Sequence, residues 1–393
     1  MSQQEWLQPS DRAAAGRSSI IREILRLMQD GSVLSLAGGI PAVEAIPLAD
    51  LQQAAATLDT PAFQYTPTEG FGPFADLIAA RATHEMGRAV GPDHVVITGG
   101  SQQALDLLGR VLLNPGDVVA MEHPGYLGAI QALEAYQPQF LPLPLDQDGL
   151  DPEVLAAALA QGVRPKLVYT VPDFSNPSGA VLTQARRDRL VELARHYGFL
   201  IVEDDPYSHL RYTGSPLHPI AAQDGEHVIR LGTLSKTLAP GLRVGWAVGP
   251  PRLISWIVRA KQAADLQAST TGQALAAALL AQPGWLDAQI ARILPWYAER
   301  AAALSHALAQ HAAGRIEVLA SQGGMFLWGQ LTDPDADSQE LFARAVANGV
   351  AFVPGAAFAV PGGPPLQRGL RLSFATLSPA QLDQAVQRLG QVL

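Results

Sequence analysis

The stretch Leu231-Gly-Thr-Leu-Ser-Lys-Thr-Leu-Ala-Pro-Gly-Leu-Arg243 holds a lysine in a chain that uses almost none. Of 27 basic residues only Lys166, Lys236 and Lys261 are lysines; the rest are arginines. A lysine amine can lose its proton and attack a carbonyl, whereas a guanidinium stays charged at any ordinary pH. All three lysines are candidates for that role. Lys166 precedes an apolar run and Lys261 falls within a helical pattern. Lys236 instead lies beyond an apolar run, beside the hydroxyls of Thr233 and Ser235 and the charge of Arg243, a set suited to phosphate.

Other segments carry polar groups of complementary kinds. Gly99-Gly100-Ser101-Gln102 lies between a predicted strand and a predicted helix, where free amides and a hydroxyl make an anion site or simply a structural turn. It lacks the spaced glycines of a dinucleotide fold. Tyr126 follows Pro124-Gly125 and could stack on a planar ring. Asn176, before Pro177, reads equally as a turn residue or as an amide donor to a phenolate-type oxygen. Glu203-Asp204-Asp205-Pro206-Tyr207 ends an apolar run. Those acids form a solvated edge, or present one buried carboxylate to a cationic nitrogen. Arg371 sits inside the apolar run Leu370–Phe374, where a charge needs a partner, and a bidentate carboxylate is a natural one.

The elements that must position these groups follow from periodicity. Runs at 94–98, 117–121, 166–171, 199–202, 228–231 and 244–248 are near-continuously apolar, with helical patterns between most of them. That alternation predicts a mainly parallel sheet buried on both faces. Ligands sit beyond the carboxyl ends of such strands, where most of the polar segments fall. A helix is expected from Ser18 to Met28, with Arg22 at the edge of its apolar face. Gly38-Gly39 breaks a short strand, and Tyr65 lies on the polar loop Gln64–Gly70. After Arg252 a long helical region reaches Leu308, followed by short strands at 315–319, 325–331 and 370–374 and a helix from Pro379. This predicts a second, smaller α+β domain.

Composition excludes several functions. A net charge of −9 with no dense basic block argues against a nucleic-acid surface. The absence of cysteine removes disulfides, thiolate nucleophiles and iron–sulfur clusters. The nine histidines show no metal-binding spacing, so no metal is expected. The polar start lacks the regions of a signal peptide, and no apolar run reaches the roughly 20 residues that span a bilayer. A soluble cytoplasmic protein without a membrane partner is expected.

One ligand unites the segments: an aromatic ring with a phosphate, a phenolic oxygen, a ring nitrogen and an aldehyde, which is pyridoxal 5′-phosphate (PLP). The motifs Ser-Leu-Ala-Gly-Gly-Ile-Pro, Gln-Tyr-Thr-Pro-Thr-Glu-Gly, Gly-Ser-Gln-Gln-Ala-Leu-Asp, Asn-Pro-Ser-Gly, Glu-Asp-Asp-Pro-Tyr, Ser-Lys and Pro-Gly-Leu-Arg occur here in the order of the fold type I PLP-dependent aminotransferases. From Ser19 onward the chain resembles most the branch containing the α-aminoadipate and kynurenine aminotransferases. The resemblance implies an α/β fold, with a mostly parallel seven-stranded sheet in a large domain and a smaller α+β domain. It divides the chain into an arm with a mobile substrate-covering helix (1–50, part of the small domain), a PLP-binding domain (51–285) and a C-terminal small domain (286–393).

It also implies roles. Lys236 would bind the cofactor aldehyde and Asp204 the ring nitrogen; Asp204 is chosen over Asp205 because the family motif Asp-x-x-Tyr ends here at Tyr207. Asn176 and Tyr207 would bond the phenolic oxygen, and Tyr126 would stack on the ring. Ser101, Gln102, Thr233, Ser235 and Arg243 would hold the phosphate, with Thr233 replacing the serine often found there. Tyr65 would reach the phosphate of the neighbouring subunit, which implies a homodimer. Arg371 would clamp the substrate α-carboxylate, with Arg22 and Gly39 in the segment that covers the substrate. The implied reaction moves an amino group between an L-amino acid and a 2-oxo acid. 2-Aminoadipate with 2-oxoglutarate is favoured, in the chemistry of lysine biosynthesis, with leucine-like and aromatic substrates tolerated. A kynurenine, aromatic or branched-chain preference, or another PLP reaction such as β-elimination, is the alternative. A DNA-binding regulator on the same fold is disfavoured by the acidic charge and by a resemblance that starts near Ser19.

Overall fold

Apolar runs too short for helices and separated by turn residues pair into one large sheet. The computed structural model describes residues 7–10 and 33–393. Arg22 and the helix expected around it lie outside those residues. In chain order the elements begin with β1 (Leu34–Ser35), α1 (Leu48–Ala56), α2 (Gly72–Met86), β2 (Val95–Thr98), α3 (Ser101–Leu112), β3 (Val118–His123), α4 (Leu127–Glu134), β4 (Gln139–Asp146), β5 (Gly149–Leu150) and α5 (Pro152–Ala160). They continue with β6 (Pro165–Thr170), α6 (Gln184–Tyr197), β7 (Leu200–Asp205), β8 (Val228–Thr233), β9 (Gly245–Val248), α7 (Pro251–Ala264), α8 (Thr270–Leu280) and α9 (Trp285–His311). The remainder is β10 (Ile316–Val318), β11 (Phe326–Leu331), α10 (Ser338–Ala347), β12 (Val350–Ala351), β13 (Val353–Pro354), β14 (Gly369–Ser373) and α11 (Pro379–Gly390).

The large sheet has the order β2-β9-β8-β7-β6-β3-β4-β5. β4, β3, β6, β7 and β8 pair in parallel, and β9 runs antiparallel to both β8 and β2. The sheet thus has eight strands rather than seven. The extra one is the two-residue β5, which folds back on the end of β4. β4 itself contains Pro142 and Pro144, which cannot donate to a ladder. Such residues are tolerated near a sheet edge, where one side of the strand needs little pairing. Leu105, Leu107 and Leu108 of α3 pack into one buried face, while Leu190, Val191 and Ala194 of α6 pack into another. The sheet is therefore covered on both sides, as its apolar strands require.

A smaller antiparallel sheet, β10-β11-β14-β13, lies with α9, α10 and α11. β1 pairs in parallel with β12, so the described N-terminal segment joins this smaller unit. The long helical region after Arg252 divides into three helices rather than one. It breaks after α7, where Leu266 takes φ +65°, and before α9, where Gly284 takes φ +72°. Among the described residues no helix is long and apolar enough to cross a membrane.

Candidate active site

Five connections converge beyond the carboxyl ends of the strands: β2 to α3, β3 to α4, β6 to α6, the segment after β7, and the β8–β9 hairpin loop. Together with residues 37–40, Val353 and Arg371 they enclose a cavity of about 270 Å³, near the lower end of small-molecule sites. Gly39, Ser101, Gln102, Tyr126, Asn176, Asp204, Tyr207, Thr233, Ser235, Lys236, Arg243 and Arg371 all line it. Tyr65 does not: its side chain is 78% exposed on the surface. Arg22 is outside the described residues.

At one end of the cavity, Ser101 and Gln102 open α3, whose unpaired amides and dipole favour an anion. Gly100 has φ +97°, and a Cβ there would meet the Arg243 guanidinium at 2.9 Å, so only glycine fits. Arg243 also adopts a left-handed backbone, φ +54°, and donates to the Gly99 carbonyl at 2.8 Å. Strain of this kind concentrates where a side chain must be aimed. The Thr233 hydroxyl donates to the Val244 carbonyl at 3.0 Å and accepts the Ser235 amide at 3.1 Å. Gln102 is held by the Gly128 carbonyl at 2.7 Å.

The middle and far end are more buried. Asp204 is 1% exposed, and Tyr169 donates to its Oδ2 at 2.8 Å. Its Oδ1 is buried and has no partner in the protein, and the residue lines the cavity. Burial pushes the Asp204 carboxyl up to about 7; the Tyr169 bond offsets part of this and the neighbouring Asp205 charge adds to it. Lys236 donates from Nζ to the Gly39 carbonyl at 2.7 Å. Burial, then the charges of Arg371 and Arg243, lower its ammonium to about 8. Burial pushes the Tyr126 phenol up to about 12 and raises that of Tyr207 further.

Arg371 stands on β14 between the rings of Phe326 and Phe358, 4.4 and 5.1 Å from their centroids. It donates to Asn176 Oδ1 at 2.8 Å and to the Ala37 carbonyl at 2.6 Å, and its Nε has no partner in the protein. Burial lowers this guanidinium to about 10, still cationic at neutral pH. The other two lysines are elsewhere. Lys166 is exposed on β6, and Lys261 is fully buried on α7 against Asp265.

Sequence reasoning overlooked two residues that support this set. Tyr169 reads as an ordinary β-former within an apolar strand, and only its partner Asp204 reveals it. Glu122, at the end of β3, accepts bonds from the Thr170 hydroxyl, the Val171 amide and the Ser175 hydroxyl. It thereby ties β3 to the turn that presents Asn176. Burial is the main reason its carboxyl is raised to about 7.

The donor set fits PLP. An unpartnered buried carboxylate oxygen suits a protonated ring nitrogen, and helix amides with an arginine suit a phosphate. A partly deprotonated lysine suits an aldehyde. Among the described residues no cluster suited to a metal ion occurs.

The sequence pattern of the family "aminotransferase class I and II" matches residues 32–389. The chain is 40% identical to the 2-aminoadipate transaminase of Thermus thermophilus, over 96% of this chain and 95% of the relative. It is 38% identical to aromatic-amino-acid aminotransferase 1 of Thermococcus litoralis, over 98% and 93%. Among solved structures, the α-aminoadipate aminotransferase LysN of Thermus thermophilus, complexed with N-(5′-phosphopyridoxyl)-L-leucine, superposes with a TM-score of 0.90 at 37% identity, covering 100% of this chain and 98% of that one. The chain therefore belongs to the class I and II aminotransferases, as a PLP-dependent enzyme of fold type I in the branch of the α-aminoadipate and kynurenine aminotransferases.

Proposed function

We propose that this aminotransferase works with Lys236 as its covalent and proton-moving residue and Asp204 as the partner of the ring nitrogen. The observation that carries the reading is the unpartnered, buried Asp204 Oδ1 in the same cavity as a lysine of lowered proton affinity. PLP, when bound, supplies the electron sink that makes the substrate Cα–H bond acidic. Asp204 keeps a proton on the ring nitrogen by offering it a charge that water cannot reach. Lys236, with its ammonium lowered to about 8, has a neutral fraction near pH 7–8 and would be able to take up and release the Cα proton at Nζ. Ser101, Gln102, Thr233, Ser235 and Arg243 would hold the phosphate. Asn176 and Tyr207 would hold the phenolic oxygen, and Tyr126 would cover the ring. Arg371 takes the α-carboxylate, and its aromatic neighbours exclude water from that pair. The amino group is stored between two half-reactions, so ping-pong kinetics are expected. Borohydride reduction followed by peptide mapping tests the assignment: the label is expected on Lys236, and one on Lys166 or Lys261 would overturn it.

The same reading assigns 1–50 and 286–393 to a small domain and 51–285 to a PLP-binding domain. The pairing of β1 with β12 supports placing the first segment with the last. Tyr65, exposed here, serves the neighbouring site of a homodimer; a fully active monomer would count against that.

For the substrate we favour 2-aminoadipate with 2-oxoglutarate as acceptor, which the Thermus thermophilus relative supports by its name. Among the described lining residues the cations are Lys236, Arg243 and Arg371, all engaged by this reading, and Ile40, Pro206 and Val353 are apolar. A distal carboxylate would therefore rely on Arg22, while leucine-like or aromatic side chains need no cation. Activity on 2-aminoadipate, leucine, phenylalanine and kynurenine should be compared in wild type and Arg22→Ala. Loss confined to 2-aminoadipate is expected; equal loss on all four would remove Arg22 as the selector.

A further inference from the structure

Lys261 is a charged group that the cavity leaves unused. It is 0% exposed in a chain with only three lysines. An apolar side chain would fill the same slot on α7 without the cost of desolvating an ammonium. Its hydrogen bonds lead back to the phosphate end of the site. Lys261 Nζ donates to Asp265 Oδ1 at 3.0 Å. Asp265 Oδ2 accepts from Gln103 Nε2 at 2.6 Å. Gln103 Oε1 accepts the Gly99 amide at 2.7 Å. The Gly99 carbonyl accepts from Arg243 at 2.8 Å. Donors and acceptors alternate without conflict along the whole path. Asp265 is itself fixed at the end of α7, its amide on the Lys261 carbonyl at 3.0 Å.

We propose that Lys261, Asp265 and Gln103 form a positioning relay that sets the Gly99–Gly100 turn and Arg243 for the cofactor phosphate. The relay acts through the turn and touches no reacting atom. It rests on the reading of Ser101 and Arg243 as phosphate holders. Loosening it should weaken grip on the phosphate and leave the ring and aldehyde contacts alone.

The test is equilibrium titration of apo-enzyme with PLP and with pyridoxal, which lacks the phosphate. Lys261→Met is expected to weaken PLP binding by about threefold to tenfold, the net worth of one part-buried hydrogen bond, with pyridoxal binding unchanged. Gln103→Met, at a partly exposed position, breaks the same path and covers the case in which Lys261→Met does not fold. Equal losses for both ligands, or no loss, would overturn the relay. Arg243→Ala is the control. If it too fails to separate the ligands, the phosphate reading itself is wrong. If it separates them and the relay variants do not, only the relay falls.

Discussion

Asp204 and Asp205 are adjacent, of one residue type and both withdrawn from water, yet their fates are opposite. Asp205 is complete: Arg230 and the Ser208 hydroxyl bond its Oδ2, and the Ser208 amide bonds Oδ1 at 3.0 Å. Arg230 also pairs with Glu85. Burial alone would raise the Asp205 carboxyl, but Arg230 and His209 overcome it and leave it at about 2. Asp204 has one donor, Tyr169, and one oxygen with none, and burial leaves its carboxyl at about 7. Strand alternation puts the two side chains on opposite faces of the sheet. One face supplies a closed ionic cluster and the other an open cavity. Asp205 has its partners in place, and Asp204 keeps one oxygen without any in the protein.

The sharpest test of this contrast is Asp204→Asn. It should lower kcat by about 10²–10⁴-fold, the usual range for a group that controls protonation. The apo-protein should at the same time become less sensitive to pH. A carboxyl raised from its usual value near 3.8 to about 7 gives stability that is present below about pH 4 and lost as pH rises through 7. Melting of wild-type apo-protein should therefore fall across that window, and the variant should lack that component. A variant with wild-type kcat would erase the distinction between the two aspartates.

Arg230→Met attacks the other side. It leaves the buried Asp205 carboxylate without its cation and Glu85 with Arg81 alone, which costs about 3–5 kcal/mol of stability. Urea unfolding should show that loss, while the folded, cofactor-loaded fraction keeps kcat within about threefold. A loss of chemistry with little loss of stability would mean that the cluster serves the site directly. Tyr169→Phe is the smallest change. Removing one buried hydrogen bond to a charged group should cost about tenfold in kcat and move the acidic limb of the kcat profile to higher pH, since the donor holds the Asp204 carboxyl down. An unmoved limb would show that the tyrosine only packs.

The fold and most of the site were legible because their signals are local. Apolar runs bounded by turn residues mark strands 95–98 to 245–248, and polar groups at their ends mark the cavity. The choice among Glu203, Asp204 and Asp205 was not legible from composition, since all three are acids at the end of one strand. Glu203 accepts the amides of Ile220 and Ala221 at 2.9 Å each, partners that come from a separate turn. Lys261 reads as an ordinary helical lysine because burial depends on how α7 packs, which a single helix does not announce. β4 escapes a reading of the sequence because Pro142 and Pro144 argue against a strand unless its place near a sheet edge is known. Glu122 and Tyr169 matter only through partners 48 and 35 residues away.

The β8–β9 connection has a consequence for how the site comes together. Thr233 pairs directly with Gly245, so the lysine loop closes on itself between neighbouring strands. Arg371 is different: it meets Ala37 across 334 residues and Asn176 across 195. Closing a contact of the longer kind costs about 3 kcal/mol more chain entropy than closing the hairpin. The Lys236 loop is thus local and low in contact order, whereas the contacts that hold Arg371 are non-local.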